Sequence, residues 1–242
     1  MEATMRTGLA TGRGHGRTSL GALSGIVFVV VLIVGAFAAP TPPQPGDAPE
    51  AIRAYYVEHA GGVRFGVFMQ ALAAALFLVF VCWLARVLPR SGRPGIAPQA
   101  TLGAGVLVLA ATLAGMAAFG TLGFGVAESG DPTLVRALFD LGNMALNVGD
   151  FMLAILVGVP SAVALRGGVL PRWVALFGLV VAAAWAVAGV SILVREGAFA
   201  GPNGPYGTAV LLAFLLWVVA TSVALFLRDR RATRLGADAG RG

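Results

Sequence analysis

The sequence predicts an all-α, polytopic bundle of six membrane-spanning helices. Three observations carry this. Six apolar stretches of about 20 residues or more alternate with short polar breaks, and a hydrocarbon core of about 30 Å needs roughly 20 helical residues. Only 12% of the 242 residues are charged and 58% are hydrophobic, against about 25% charged in a soluble domain. The runs lack the period-2 alternation of a membrane barrel. Lipid offers the backbone no hydrogen bonds, so each run must pair its own N–H and C=O groups as a helix.

The elements follow in order. Residues 1–18 are rich in Gly, Thr and Arg and read as a disordered cytoplasmic tail. The first span covers about 20–39 and stops at Pro40, which cannot continue a helix. Three arginines, an apolar core and Ala36-Phe37-Ala38 also match a secretory signal with an A-x-A cleavage site. The apolar run exceeds the roughly 7–15 residues of such a signal, which favours a retained helix. Thr41 to Gly46 is a stiff Pro-rich linker. Pro49 to His59 reads as a short surface helix carrying Tyr55 and Tyr56, residues suited to a membrane–water boundary.

The second span covers about 63–87, ending at Pro89-Arg90, and the third about 99–126, rich in Gly and Ala. Asp131-Pro132 then marks a helix start, with Asp as N-cap and Pro at the first helical position. The helical pattern from Pro132 to Leu165 would be roughly 50 Å long, more than a bilayer needs. Its lipid-compatible part is about 144–165, so its first turns project beyond the membrane. Gly167-Gly168 ends it, and Pro160 is a candidate kink. The fifth span covers about 173–194 and the sixth about 206–227. Residues 19–228 form the membrane domain, and 229–242 read as a basic, disordered cytoplasmic tail. After six helices no room is left for a second domain of ordinary size.

Charge sets the orientation. All 17 cations are arginine, and with a cytoplasmic N-terminus 13 of them fall on the cytoplasmic side, as the positive-inside rule requires. Arg53, Arg64, Arg136 and Arg195 are the exceptions. An even number of spans places both termini inside. The same asymmetry explains the net charge of +6 without nucleic acid; the bilayer is the expected partner and the plasma membrane the expected location. Cys82, the only cysteine, lies in an apolar run, so no intrachain disulfide can form.

One polar constellation stands out. Arg136, Asp140, Asn143, Asn147 and Asp150 are spaced 4, 3, 4, 3. On a helix they fall within about 80° of arc, one narrow stripe. Ala154, Gly158 and Ser161, all small, continue it toward the cytoplasm. The functional reading is an outward polar pocket with Asp150 deepest, since intramembrane ionisable residues are costly and functional by default. The bland reading is a packing seam, in which small residues admit close approach and Asn or Asp bonds across the contact. Depth favours the seam, because Asp140 and Asn143 lie before the apolar run and only Asn147 and Asp150 lie inside it. Arg136 and Asp140 form an i,i+4 pair, and Arg64 and Arg195 are candidate partners for Asp150.

Catalytic patterns are missing or incomplete. Asn147-Val148-Gly149-Asp150 lacks the first Gly of the G-x-G-D of intramembrane aspartyl proteases. Asp140 and Asp150, on one helix about 15 Å apart, cannot share a proton as a dyad does. Ser24, in Gly21-Ala22-Leu23-Ser24-Gly25, has no intramembrane His to activate it. His15 and His59 fall on opposite sides of the membrane, which argues against a His metal site. No cofactor is implied. Trp83, Trp173 and Trp217 read as interface anchors or packing, and Gly178, Ala182 and Ala186 as a small-residue packing face. Such faces on the third and fifth spans also suit a homo-oligomer. Val-Leu-Pro-Arg occurs at both 87–90 and 169–172, more simply as a helix stop than as a duplication.

Leu134 to Leu141, Gly168 to Trp173, and Phe214-Leu215-Leu216-Trp217 resemble the multi-pass membrane proteins of unknown function common in actinobacteria. The likeness covers about residues 19–228 and implies a membrane bundle, with no activity, cofactor or site attached. The expected role is therefore a non-enzymatic membrane protein with an outward binding or sensing pocket of unknown ligand. The alternative is a small transporter or channel subunit using the polar stripe.

Overall fold

The computed structural model describes residues 15–88, 95–194, 197–199 and 204–239. Among them the regular elements are all helical. In chain order they are α1 (His15–Ala36), α2 (Pro49–Glu58), α3 (Ala60–Val87), α4 (Ala97–Thr121), a π-helical turn (Leu122–Val126), α5 (Ala127–Ser129), α6 (Pro132–Gly167), α7 (Arg172–Ala188), a 3-10 turn (Gly189–Leu193) and α8 (Pro205–Ala239).

Five helices are long and apolar enough to cross a membrane: Ala60–Val87, Ala97–Ser129, Pro132–Gly167, Arg172–Leu193 and Pro205–Arg228. The sequence predicts six. α1, 22 residues long, is not among these five; over its described residues it is a shorter apolar helix, Leu20–Ala36. It ends ahead of Pro40, with last-turn bonds from Phe37 N to Ile33 O and from Ala38 N to Gly35 O, each 3.2 Å. α1 nevertheless packs as a full member of the bundle.

Local chemistry places the ends. Asp131 caps α6 by accepting from Thr133 N at 2.8 Å, and Gly168 closes it in the left-handed region at φ 62°. α6 runs unbroken through Pro160. The third span ends less simply than predicted. α4 widens into a π turn, where Gly125 at φ 142° interrupts the helical dihedrals, a conformation open to Gly. The fifth span tightens into the 3-10 turn at Gly189, as last turns often do. The last span does not stop at 227: α8 continues to Ala239, so residues 229–239 are helical where the sequence predicts disorder. That stretch has no Pro and is rich in the strong helix formers Ala, Arg and Leu. Similarly, α1 starts at His15, within the predicted tail.

The six long helices form a closed ring. Each packs on two neighbours, in the order α1–α3–α4–α6–α7–α8 and back to α1. Glycines seat large side chains at these contacts. A Cβ on Gly25 would lie 2.7 Å from Phe80, and one on Gly105 2.5 Å from Val81. Close approach of this kind is how helices pack in lipid. The ring interior is solid in one half, where Phe80, Val81, Leu156, Val157, Trp217 and Val218 are at most 1% exposed. Trp83 belongs to the same core, whereas Trp173 is 64% exposed. Ala186 turns outward, and Gly178, Ala182 and Trp185 form the buried face of α7 instead.

At the other end α2 lies across the bundle. Ile52 and Tyr56 are buried against Phe119, Leu122, Val135 and Phe139. Two arginines hold this cap down. Arg53 donates to Ala127 O at 2.8 Å and to Glu128 O at 2.9 Å, capping the carbonyls left free at a helix end. Arg136 donates to Asp47 O at 2.9 Å and to Pro45 O, which pins the Pro-rich linker. Tyr55 closes the linker's start through a 2.7 Å bond to Pro40 O.

Candidate functional site

The half of the ring beneath α2 encloses a cavity of about 370 Å³. Its wall draws on α1, α2, α3, α4, α6, α7 and α8. It runs from Pro40, Pro42 and Tyr55 at the α2 end down to Phe77, Val108, Leu153 and Phe214, beyond which lies the solid half. Volumes of 300–1,000 Å³ are typical of small-molecule sites.

Asp150 sits on this wall. It lies near the middle of α6, about 27 Å from either end of the helix. Two flanks aim it inward. On one, a Cβ on Gly149 would lie 3.2 Å from Ala111 of α4; on the other, a Cβ on Gly158 would lie 3.2 Å from Ala182 of α7. The arc between them faces the ring interior. Asp150 is 7% exposed and has neither hydrogen bond nor ion pair among the described residues. The wall contributes further polar groups in the same condition. Ser191 Oγ and Trp185 Nε1 are buried without a partner, and Thr112 and Gln70 make no bond among the described residues. Natural proteins satisfy almost all buried polar groups, so three open ones around one cavity, on Asp150, Trp185 and Ser191, mark it out, with the half-buried Thr112 and Gln70 beside them.

The rest of the predicted stripe has other employment. Arg136 and Asp140 pair bidentately, Nε to Oδ1 at 3.0 Å and to Oδ2 at 2.9 Å, and with the linker contacts this makes them a clasp for residues 45–47. Neither belongs to the cavity wall. Asn143 is buried and donates from Nδ2 to Phe139 O at 2.9 Å. Asn147 is also buried, and both side-chain carbonyls lack a donor. These two lie in the helix-packing interior, off the wall. Of the two predicted partners, only Arg64 can be placed, and it does not serve Asp150. Arg64 is exposed and donates to Ala60 O of its own helix at 3.3 Å, and Arg195 lies outside the described residues.

The small residues beyond Asp150, Ala154, Gly158 and Ser161, are not on the cavity wall. Ser161 is fully buried against α7 and α8, where a Cβ on Gly178 would overlap both Ser161 Oγ and Trp217 Nε1. Ser161, Thr221 and Ser222 are buried hydroxyls without a hydrogen-bond partner among the described residues, and Ser222 lies at the α1–α8 contact beside Gly25.

At the cavity mouth, burial pushes the Tyr55 hydroxyl up from its ordinary value. Tyr56 is pushed up further, by burial first and by its neighbour Tyr55 second. Among the described residues no group of three His, Cys, Asp or Glu could hold a metal ion.

Sequence reasoning missed Trp185, Ser191, Thr112, Gln70 and the aromatic lining. Each is an isolated polar or aromatic residue in an apolar run, with no spacing to show that five helices turn them to one point. No family model, no curated protein and no solved structure matches this chain.

Proposed function

We infer that this is a plasma-membrane binding or sensing protein, non-enzymatic, whose ring admits a small ligand from the extracytoplasmic side. The observation that carries this is Asp150: a carboxyl buried without a partner among the described residues, on the wall of a ligand-sized cavity. A buried carboxyl with no protein partner is costly, and a polar group on a bound molecule would offset that cost. The arginine bias places the α2 end outside, and the cavity reaches that end. The solid packing of Leu156, Val157 and Trp217 supports a blind pocket over a conducting path.

Cysteine accessibility tests this reading. In a Cys82→Ala background, a membrane-impermeant thiol reagent is applied to intact cells. Thr112→Cys, Asp150→Cys and Ser191→Cys should react from outside, and Ser161→Cys and Ser222→Cys should stay unlabelled. Reaction at 161 or 222 would favour transport. Silence at 112, 150 and 191 would remove the outward pocket.

A further inference from the structure

We propose that the cavity selects an organic cation: an ammonium group, primary to quaternary, on an apolar body. The proposal rests on the ligand-pocket reading above and adds the chemistry of the ligand. Three features of the wall converge on it.

The first is charge. Among the described residues Asp150 is the only acidic side chain on the wall, and no described Arg, Lys or His stands there. An anionic ligand would meet a carboxyl and no counter-charge, so like-charge repulsion would exclude it. A cation would supply the partner that the protein withholds from Asp150.

The second is aromatic surface. Phe28 and Phe77 pack with ring centroids 4.7 Å apart, Phe77 meets Phe214 at 5.9 Å, and Phe214 meets Trp185 at 6.2 Å. All four are wall residues, and they form one continuous aromatic surface shared by α1, α3, α8 and α7. Aromatic faces attract ammonium groups, more strongly where water is excluded, and cages of them recognise quaternary ammonium.

The third concerns what the wall lacks. Hard inorganic cations need several oxygen ligands, six to eight for calcium. One carboxyl, a few hydroxyls and an amide spread over an otherwise apolar wall do not assemble such a shell. An organic cation needs no shell: its apolar part fills the aromatic space while its charge faces the carboxyl.

The test uses the purified full-length protein in detergent micelles and calorimetric titration with three probes of near-equal shape. These are benzyltrimethylammonium, its uncharged carbon isostere neopentylbenzene, and the anion benzylsulfonate. The proposal expects the cation to bind at least tenfold more tightly than the isostere and the anion not at all. Asp150→Asn, which keeps the shape and removes the charge, should bring the cation to within about threefold of the isostere. The wild-type ratio is decisive by itself, should that variant fail to fold. If cation and isostere bind equally, cation selection is overturned while the ligand pocket stands. If none of the three binds to wild type and the cysteine labelling also fails, both readings fall.

Discussion

Tyr56 joins two neighbouring roles: it is a wall residue of the cavity and a core residue of the cap. Its raised pKa has a thermodynamic sign. The folded state holds the phenol neutral above the point, near pH 10, where the unfolded chain ionises. Stability from this burial is therefore complete below about pH 10 and is lost as pH rises toward the folded value. We expect wild type and Tyr56→Phe to show the same tyrosinate absorbance at about pH 11 while folded, since Tyr56 stays protonated there. One extra tyrosinate in wild type would mean that α2 is not docked. Asp140 and Asp150 make a second contrast at this scale. They share a helix and nearly a face, yet the first has a guanidinium partner and the second has none among the described residues. The helical wheel made the shared stripe legible. It could not show that Pro45 and Asp47, some ninety positions earlier in the chain, return to claim Arg136.

Among the elements, contacts between helices turn on absent side chains. Gly178 leaves space that Trp217 and Ser161 occupy. Gly178→Leu should separate α7 from α8 and lower stability by about 1–3 kcal/mol, the usual cost of overpacking, read as a lower midpoint of thermal unfolding. Gly125→Ala should be damaging for another reason. A Cβ there would have open space around it, so its cost is the backbone conformation, about 1–2 kcal/mol. An unchanged midpoint in either variant would refute the corresponding account. The apolar runs, the caps at Asp131 and Gly168 and the short helix over the linker were legible, because each has a local cause. The π turn was not, since it depends on one glycine's dihedral. Nor was the extension of α8, since helix formers beyond a membrane boundary read equally well as tail.

In the molecule as a whole, α1 decides the shape. It is not among the five candidate spans, yet Ala22, Phe28 and Val29 are buried in the main cluster and Phe28 lines the cavity. Cleavage after Ala38 would leave α3 and α8 without a common neighbour and strip the cavity of one wall. We expect the membrane-purified protein to have the mass of an uncleaved chain, and reporters fused at either end to give the same compartment. A mature N-terminus at Ala39 would break both expectations. Fold class was legible from length and apolarity alone. The cavity was not, because a ring and a filled bundle can be built from the same helices, and only the pairing of neighbours separates them.

That pairing has a bearing on how the protein is made. The first and last helices of the ring adjoin, so a ribosome delivers the two edges of the final seam with the other four long helices between them. Until the last one emerges, five partnered helices form an open trough whose aromatic lining meets lipid. Closure is thus a late, long-range event in biosynthesis, the kind that loop entropy makes slow, and a nascent chain stalled before residue 205 would be a natural client for membrane chaperones or proteases. The same adjacency makes the protein a candidate for circular permutation: the two ends could be tethered and the chain reopened between α3 and α4 with every neighbour in the ring retained.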